Sequence, residues 1–288
     1  MRILTIDLED WFHILDFSKT EKPEQWNRFE SRVERNSNYL LNLLEEKNQS
    51  ATWFCLGWIA AKHPDLIRQV AAKHEIACHS DVHQLVYQQT REQFRKDLQR
   101  SIRTIEDVTG KKVKTYRAPG FSFTPQVNWM IDVLSEEGFE VDCSVFPAKR
   151  NHGGYPGLPQ VPHRIQTKSG HLMKELPIGL KSLAGIDFVF SGGGYFRFLP
   201  YELIKKWTKE TSYTMTYFHP RDFDSKQPVL EGLSIKRRWM SYYGLKSCSD
   251  KFKKYLHDFD FVTVEEAVSK IDWESTKLVE LSVDQLSV

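Results

Sequence analysis

Short runs of β-branched and aromatic residues alternate with amphipathic stretches almost from the first residue. "RILTID" (2–7), "SATWFCLGW" (50–58), "EIACHS" (75–80), "KTYRAPG" (114–120) and "YTMTYFHP" (213–220) read as strands, each bounded by polar or turn residues. Residues 34–46 and 91–108 carry helical periodicity; in the second, Phe94, Leu98, Ile102 and Ile105 share one face. Thr124, Pro125 and the run to Gly138 predict an N-cap, a first-turn proline and a C-terminal glycine. Leu245 to Leu256 and Val264 to Ile271 are further helix candidates. Repeated strand–helix units predict an α/β fold: a parallel sheet with helices outside, open or closed into a barrel. Residues 147–171, rich in Gly, Pro and His, break the rhythm and read as a functional loop. We expect one domain over 1–274 and a peripheral polar tail over 275–288.

Composition narrows the class. Of 288 residues 40% are hydrophobic and 27% charged, enough to bury a real core. Forty basic residues against 38 acidic give a net charge of +2, which lends no support to a nucleic-acid or membrane-surface partner. The apolar run at the N-terminus is too short for a signal-peptide core and is broken by Asp7, Glu9 and Asp10. No stretch approaches a transmembrane helix, so an integral membrane protein is not expected. Four dispersed cysteines without a CxxC pair read as reduced, buried thiols, and the expected compartment is the cytoplasm.

Parallel α/β folds carry their sites at the carboxyl ends of strands. The first predicted strand ends in Asp7, Glu9 and Asp10, followed by Trp11 and Phe12. The third ends in "HSDVH", with His79 and His83 four positions apart. Arg117 follows the next, a later one near residue 142 carries Asp142 and Ser144, and the last ends in His219, Arg221 and Asp222. Singly each has an ordinary explanation: a cap, a surface pair, a satisfied core histidine. Jointly they would be delivered to one edge of one sheet. Two histidines and a carboxylate also form a usual ligand set for catalytic zinc, with a position left open for water.

In order, "DLEDWF", "HSDVH", "RAPGFS", "DCSVFP", "GGGYFR" and "FHPRDFD" resemble the motifs of the NodB-homology polysaccharide deacetylases, carbohydrate esterase family 4, in the branch found in exopolysaccharide clusters. The resemblance runs from residue 5 to about 225, and the following helix and strand to about 271 are similar too. It implies a distorted (β/α) barrel and metal-dependent removal of acetyl from an N-acetylated sugar. It implies Asp7 as general base, and His79, His83 and an acid after Asp7 as metal ligands. Arg117 would pair with the base, His219 would act as general acid, and Asp142 would support that acid. A backbone N–H near Gly120 or Phe121 would help hold the oxyanion.

One departure matters. The common family pattern has adjacent aspartates, whereas Leu8 follows Asp7 here, so the metal-binding acid is Glu9 or Asp10. Strand parity favours Glu9, with Asp10 bracing the turn. Arg221 stands where many relatives carry tryptophan. Trp11, Phe12, Phe121, Tyr195 and Phe196 flank the motifs and are candidates for a sugar platform, with core packing as the alternative. Gly192 to Gly194 read as a loop approaching ligand. Zinc is the first choice of metal; iron, cobalt and manganese suit the same ligands. The expected partner is an N-acetylated sugar, nucleotide-linked, lipid-linked or polymeric. The rivals are an O-acetyl esterase or deformylase with the same site, and a metal-free glycan-binding or scaffolding barrel.

Overall fold

Along the first strand segment, every second residue looks into the barrel. Ile3 packs in an interior cluster with Phe54, Ala77 and Met215, while Leu4, Ile6 and Leu8 pack outward under the helices. Period-2 alternation therefore puts Thr5, Asp7 and, just past the strand, Glu9 on the interior side. The computed structural model describes residues 1–15, 17–149, 152–183 and 186–281.

The strands are β1 (Arg2–Ile3), β2 (Thr5–Leu8), β3 (Thr52–Cys55), β4 (Glu75–Cys78), β5 (Thr115–Tyr116) and β6 (Val141–Asp142). There follow β7 (His163–Gln166), β8 (Leu172–Glu175), β9 (Lys181–Leu183), β10 (Ile186–Phe188), β11 (Thr214–Met215) and β12 (Leu278–Glu280). The main sheet runs β12-β7-β8-β6-β5-β4-β3-β2, with only the β7–β8 pair antiparallel. β1 pairs in parallel with β11, and isolated parallel bridges join Ile6 to Phe218 and Ile3 to Val262. Those contacts carry the sheet round from its β2 edge. The result is a distorted (β/α) barrel of the polysaccharide deacetylase type, as the alternating pattern and the motif resemblance implied.

Helices form where the amphipathic stretches predicted them. Val33–Glu46 and Arg91–Thr109 lie under the sheet, the second opened by a Thr90/Gln93 capping box and closed by Gly110 at φ 68°. The predicted 124–138 helix is split into a 3₁₀ turn, Pro125–Val127, and a helix, Trp129–Glu136. Two expectations change. The 147–171 segment is not loop throughout: β7 lies in it, paired to β8. Within the expected tail, β12 adds to the sheet edge in parallel with β7, and residues 282–288 lie outside the described residues.

Candidate active site

Strand register brings the polar residues together. Asp7 N–H donates to Phe218 O (2.7 Å), His79 N–H to Cys55 O (2.8 Å) and Arg117 N–H to Cys78 O (3.0 Å). Asp7 is thus pinned within β2, and His79 and Arg117 are pinned by ladder-type bonds one step beyond β4 and β5. The loop after β4 then turns with Ser80 at φ 71° and His83 at φ 56°, and Phe121 sits at φ 54°. These are three of the four described non-glycine residues with positive φ. Strain of this kind, about 1–3 kcal/mol per residue, persists only where surrounding contacts over-determine it.

Glu9, His79 and His83 converge. Glu9 Oε1 is 3.1 Å from His79 Nε2 and 2.9 Å from His83 Nε2. His79 Nδ1 is 2.7 Å from Arg117 O, a carbonyl that can only accept. Nδ1 therefore carries a proton and Nε2 faces the cluster, the arrangement that orients imidazole ligands of metals. Burial opposes the Glu9 charge, yet His83 and His79 prevail and hold its carboxyl well below the usual range. The donor set fits a divalent cation: two imidazole nitrogens and one carboxylate, buried and mutually within 4.8 Å. Asp10 turns away. It accepts from Ser31 Oγ (2.6 Å) and from the Arg32 (3.0 Å) and Val33 (3.3 Å) amides at the start of the Val33–Glu46 helix.

Beside this cluster, Arg117 Nη1 donates to Asp7 Oδ1 (2.6 Å) and Thr5 Oγ1 (2.7 Å). The guanidinium is fully buried and stacks 4.0 Å over Phe54. On the other side, His219 Nε2 is 3.8 Å from Asp7 Oδ2, and its Nδ1 is 3.0 Å from Asp222 Oδ2. Burial alone would discharge His219. The hydrogen bond and charge of Asp222, with Glu9 and Asp7, outweigh it and bring the imidazole up to about 9. Asp222 falls to about 2: burial works against its charge, and Arg197, whose Nε is 3.2 Å away, and His219 overcome it.

Several expectations are corrected. Asp142 is not beside His219; its carboxyl accepts from Ser144 Oγ (2.5 Å) and meets Glu175 in the interior, and the carboxylate against His219 Nδ1 is that of Asp222. Phe12 and Phe196 are fully buried, and Trp11 and Phe121 nearly so, each packed against other rings. Of the five platform candidates only Tyr195 is exposed. Gly192 and Gly193 lie close against the strand segment at Tyr217. A Cβ on Gly192 would collide with the Tyr217 carbonyl, and one on Gly193 (φ 52°) would lie 2.8 Å from the Tyr217 ring. Phe121 N–H is engaged by Ala118 O (3.0 Å).

A cleft of about 350 Å³ adjoins His83, walled by His13, Leu15, Trp26, Gln84 and Leu85. That is the size range of small-ligand sites. His13 is a site residue that sequence reasoning passed over. Its Nδ1 accepts from Asp10 N–H (3.1 Å), so Nε2 bears the proton, and that buried N–H has no partner among the described residues. Burial, then the charge of His83, takes His13 down to about 3, so it stays neutral.

Residues 18–141 match the polysaccharide deacetylase family, and residues 143–269 match a Domain of unknown function (DUF3473). The first match shows a likeness to the polysaccharide deacetylases over that segment of the chain. A peptidoglycan deacetylase of Helicobacter pylori is 30% identical over 107 residues, 37% of this chain and 36% of that protein, so the match spans about a third of the curated relative. A solved chain from Mycobacterium smegmatis assigned to the polysaccharide deacetylases superposes over 100% of this chain and 94% of its own (TM-score 0.64, 20% identity). A family 4 pseudoenzyme from Bacillus anthracis also shares the fold, over 97% of this chain and 66% of its own (TM-score 0.50, 13% identity). At such identities the likeness is one of fold, and function has to come from the site. Asp7 and Glu9 precede both matched segments and His219 lies in the second, so the cluster is assembled across the whole chain.

Proposed function

We propose that the protein is a divalent-metal-dependent amide hydrolase. It removes the acetyl group from an N-acetylhexosamine unit during assembly of a surface polysaccharide or glycoconjugate. The observation that carries this reading is the grouping of Glu9, His79 and His83 with an arginine-paired aspartate and a charged histidine beside them. A glycan-binding or scaffolding barrel has no use for a base and an acid facing the same point.

Glu9, His79 and His83 would hold the cation, zinc first. When bound, it supplies Lewis acidity toward the acetyl carbonyl and lowers the pKa of water. Asp7 takes the proton of the attacking water, and the Arg117 guanidinium holds its carboxylate in place. His219 delivers a proton to the departing nitrogen, without which an amine anion would have to leave. Asp222 fixes the ring of His219 and keeps it charged. The donor to the developing oxyanion passes to the Gly120 amide, because that of Phe121 is engaged. The cleft beside His83 would take the sugar, with the His13 N–H offered to one of its oxygens. All four cysteines are free and buried, which supports a reducing compartment such as the cytoplasm. The direct test is acetate release from N-acetylated sugars, free, nucleotide-linked, lipid-linked and polymeric, with and without added metal. Release from O-acetyl or N-formyl sugars alone would favour the esterase or deformylase instead.

A further inference from the structure

The helix Ile235–Tyr242 buries none of its residues. Its sequence, IKRRWMSY, is nonetheless rich in apolar side chains. Ile235 is 90% exposed, and Trp239 and Met240 are each about half exposed. Phe198 and Tyr243, also about half exposed, extend the same surface. The Trp239 ring lies 4.7 Å from Tyr243 and 5.6 Å from Phe198, so these aromatics pack on one another and leave their outer faces in water. Contiguous apolar surface of this kind marks an interaction face.

Charge says what kind. Between Lys226 and Lys246 the chain carries five basic residues (Lys226, Lys236, Arg237, Arg238 and Lys246) and one acidic residue, Glu231. A nearly neutral whole thus conceals a local excess of positive charge on the segment that also exposes tryptophan, tyrosine and isoleucine. Aromatic and aliphatic side chains flanked by Lys and Arg suit the boundary between anionic headgroups and acyl chains. We infer that the Ile235–Tyr242 helix, with Phe198 and Tyr243, docks on the surface of an anionic lipid bilayer and lies in its plane.

The face is fastened to the rim of the site. Arg197 donates to the carbonyls of Ser241 (3.0 Å), Tyr243 (3.0 Å) and Met240 (3.3 Å), and the same guanidinium holds Asp222 beside His219. Leu230, just before the helix, packs with Trp11, Phe12 and Trp26. Docking would therefore set the catalytic end of the barrel, not its far end, against the membrane.

The test is co-sedimentation of the full chain with vesicles, and it needs no catalysis. The protein should bind vesicles containing phosphatidylglycerol at low salt, bind pure phosphatidylcholine far less, and be released as salt rises. Trp239→Ser with Met240→Ser should weaken binding at least tenfold. Lys236→Gln with Arg238→Gln should weaken it and erase the preference for anionic lipid, each charge near such a surface being worth about fivefold. Both pairs should stay folded and melt close to the unsubstituted chain, since no residue of the helix is fully buried. Failure to bind anionic vesicles at low salt, or unchanged binding by both double variants, overturns the inference. So does self-association through this face without vesicle binding, which would assign it to a second copy of the chain.

Discussion

Asp222 Oδ2 accepts from the backbone N–H of His219 at 2.9 Å and lies 3.0 Å from the Nδ1 of the same residue. One carboxylate oxygen thus fixes both the turn and the ring. The contact reverses the effect of burial and keeps His219 charged up to about pH 9. Asp222→Asn should therefore move the alkaline limb of the pH–rate profile to lower pH and slow amide hydrolysis about 10- to 100-fold. The sign for stability follows. A raised imidazole pKa stabilises the fold fully below the unfolded value, about 6.5, and the contribution fades as pH rises through about 9. An unmoved alkaline limb in the variant would remove Asp222 from this role.

Glu9 and Asp10 are neighbours with separate jobs. Glu9→Ala should lose bound metal, measured by elemental analysis, and remain folded. Asp10→Ala should keep metal but lower stability by about 1–3 kcal/mol, because the Arg32 and Val33 amides lose a buried acceptor. Metal loss in Asp10→Ala with retention in Glu9→Ala would invert the assignment.

Asp142 and Glu175 meet in the interior, where burial raises both: Asp142 to about 6, and Glu175 well above the usual range, with the Asp142 charge adding to it. The folded state keeps protons there that the unfolded state releases, so stability should fall as pH rises from the unfolded carboxyl range through 6 and beyond. The slope approaches about 1.4 kcal/mol per pH unit for one proton. Glu175→Gln keeps the shape of the protonated acid and should flatten that decline, as read by denaturant melts from pH 5 to 8. An identical slope in the variant would count against a shared proton.

Much of this was legible in the sequence, for physical reasons. Period-2 alternation is local, so the positions of Asp7 and Glu9 on the barrel side followed from their spacing, and motif order carried His79, His83, Arg117 and His219. What was not legible depends on distant partners. Whether Phe12 and Phe196 face solvent is decided by Phe29, Trp58, Phe218 and Tyr255 packed over them. Gly192 is required by a strand segment 25 residues on, at Tyr217. β7 and β12 pair with each other across more than a hundred residues and lack a strong local signal. Asp222 was within reach: a carboxylate three residues after a histidine can fold back on it.

The Gly192 contact is itself testable. Gly192→Ala drives a methyl group into the Tyr217 carbonyl, so it should destabilise the chain by about 2 kcal/mol or more. Unchanged thermal stability would mean the two segments sit further apart.

The central claim is that Asp7, held by Arg117, acts as base beside a metal held by Glu9, His79 and His83. Acetate release from an N-acetylated sugar by metal-stripped and zinc-restored protein, compared with zinc-restored Asp7→Asn, tests it most directly. The account requires negligible release by the stripped protein and recovery with zinc. It also requires that Asp7→Asn bind zinc normally and turn over at least about a hundredfold more slowly. Full release by the stripped protein, or full turnover by zinc-loaded Asp7→Asn, would contradict it.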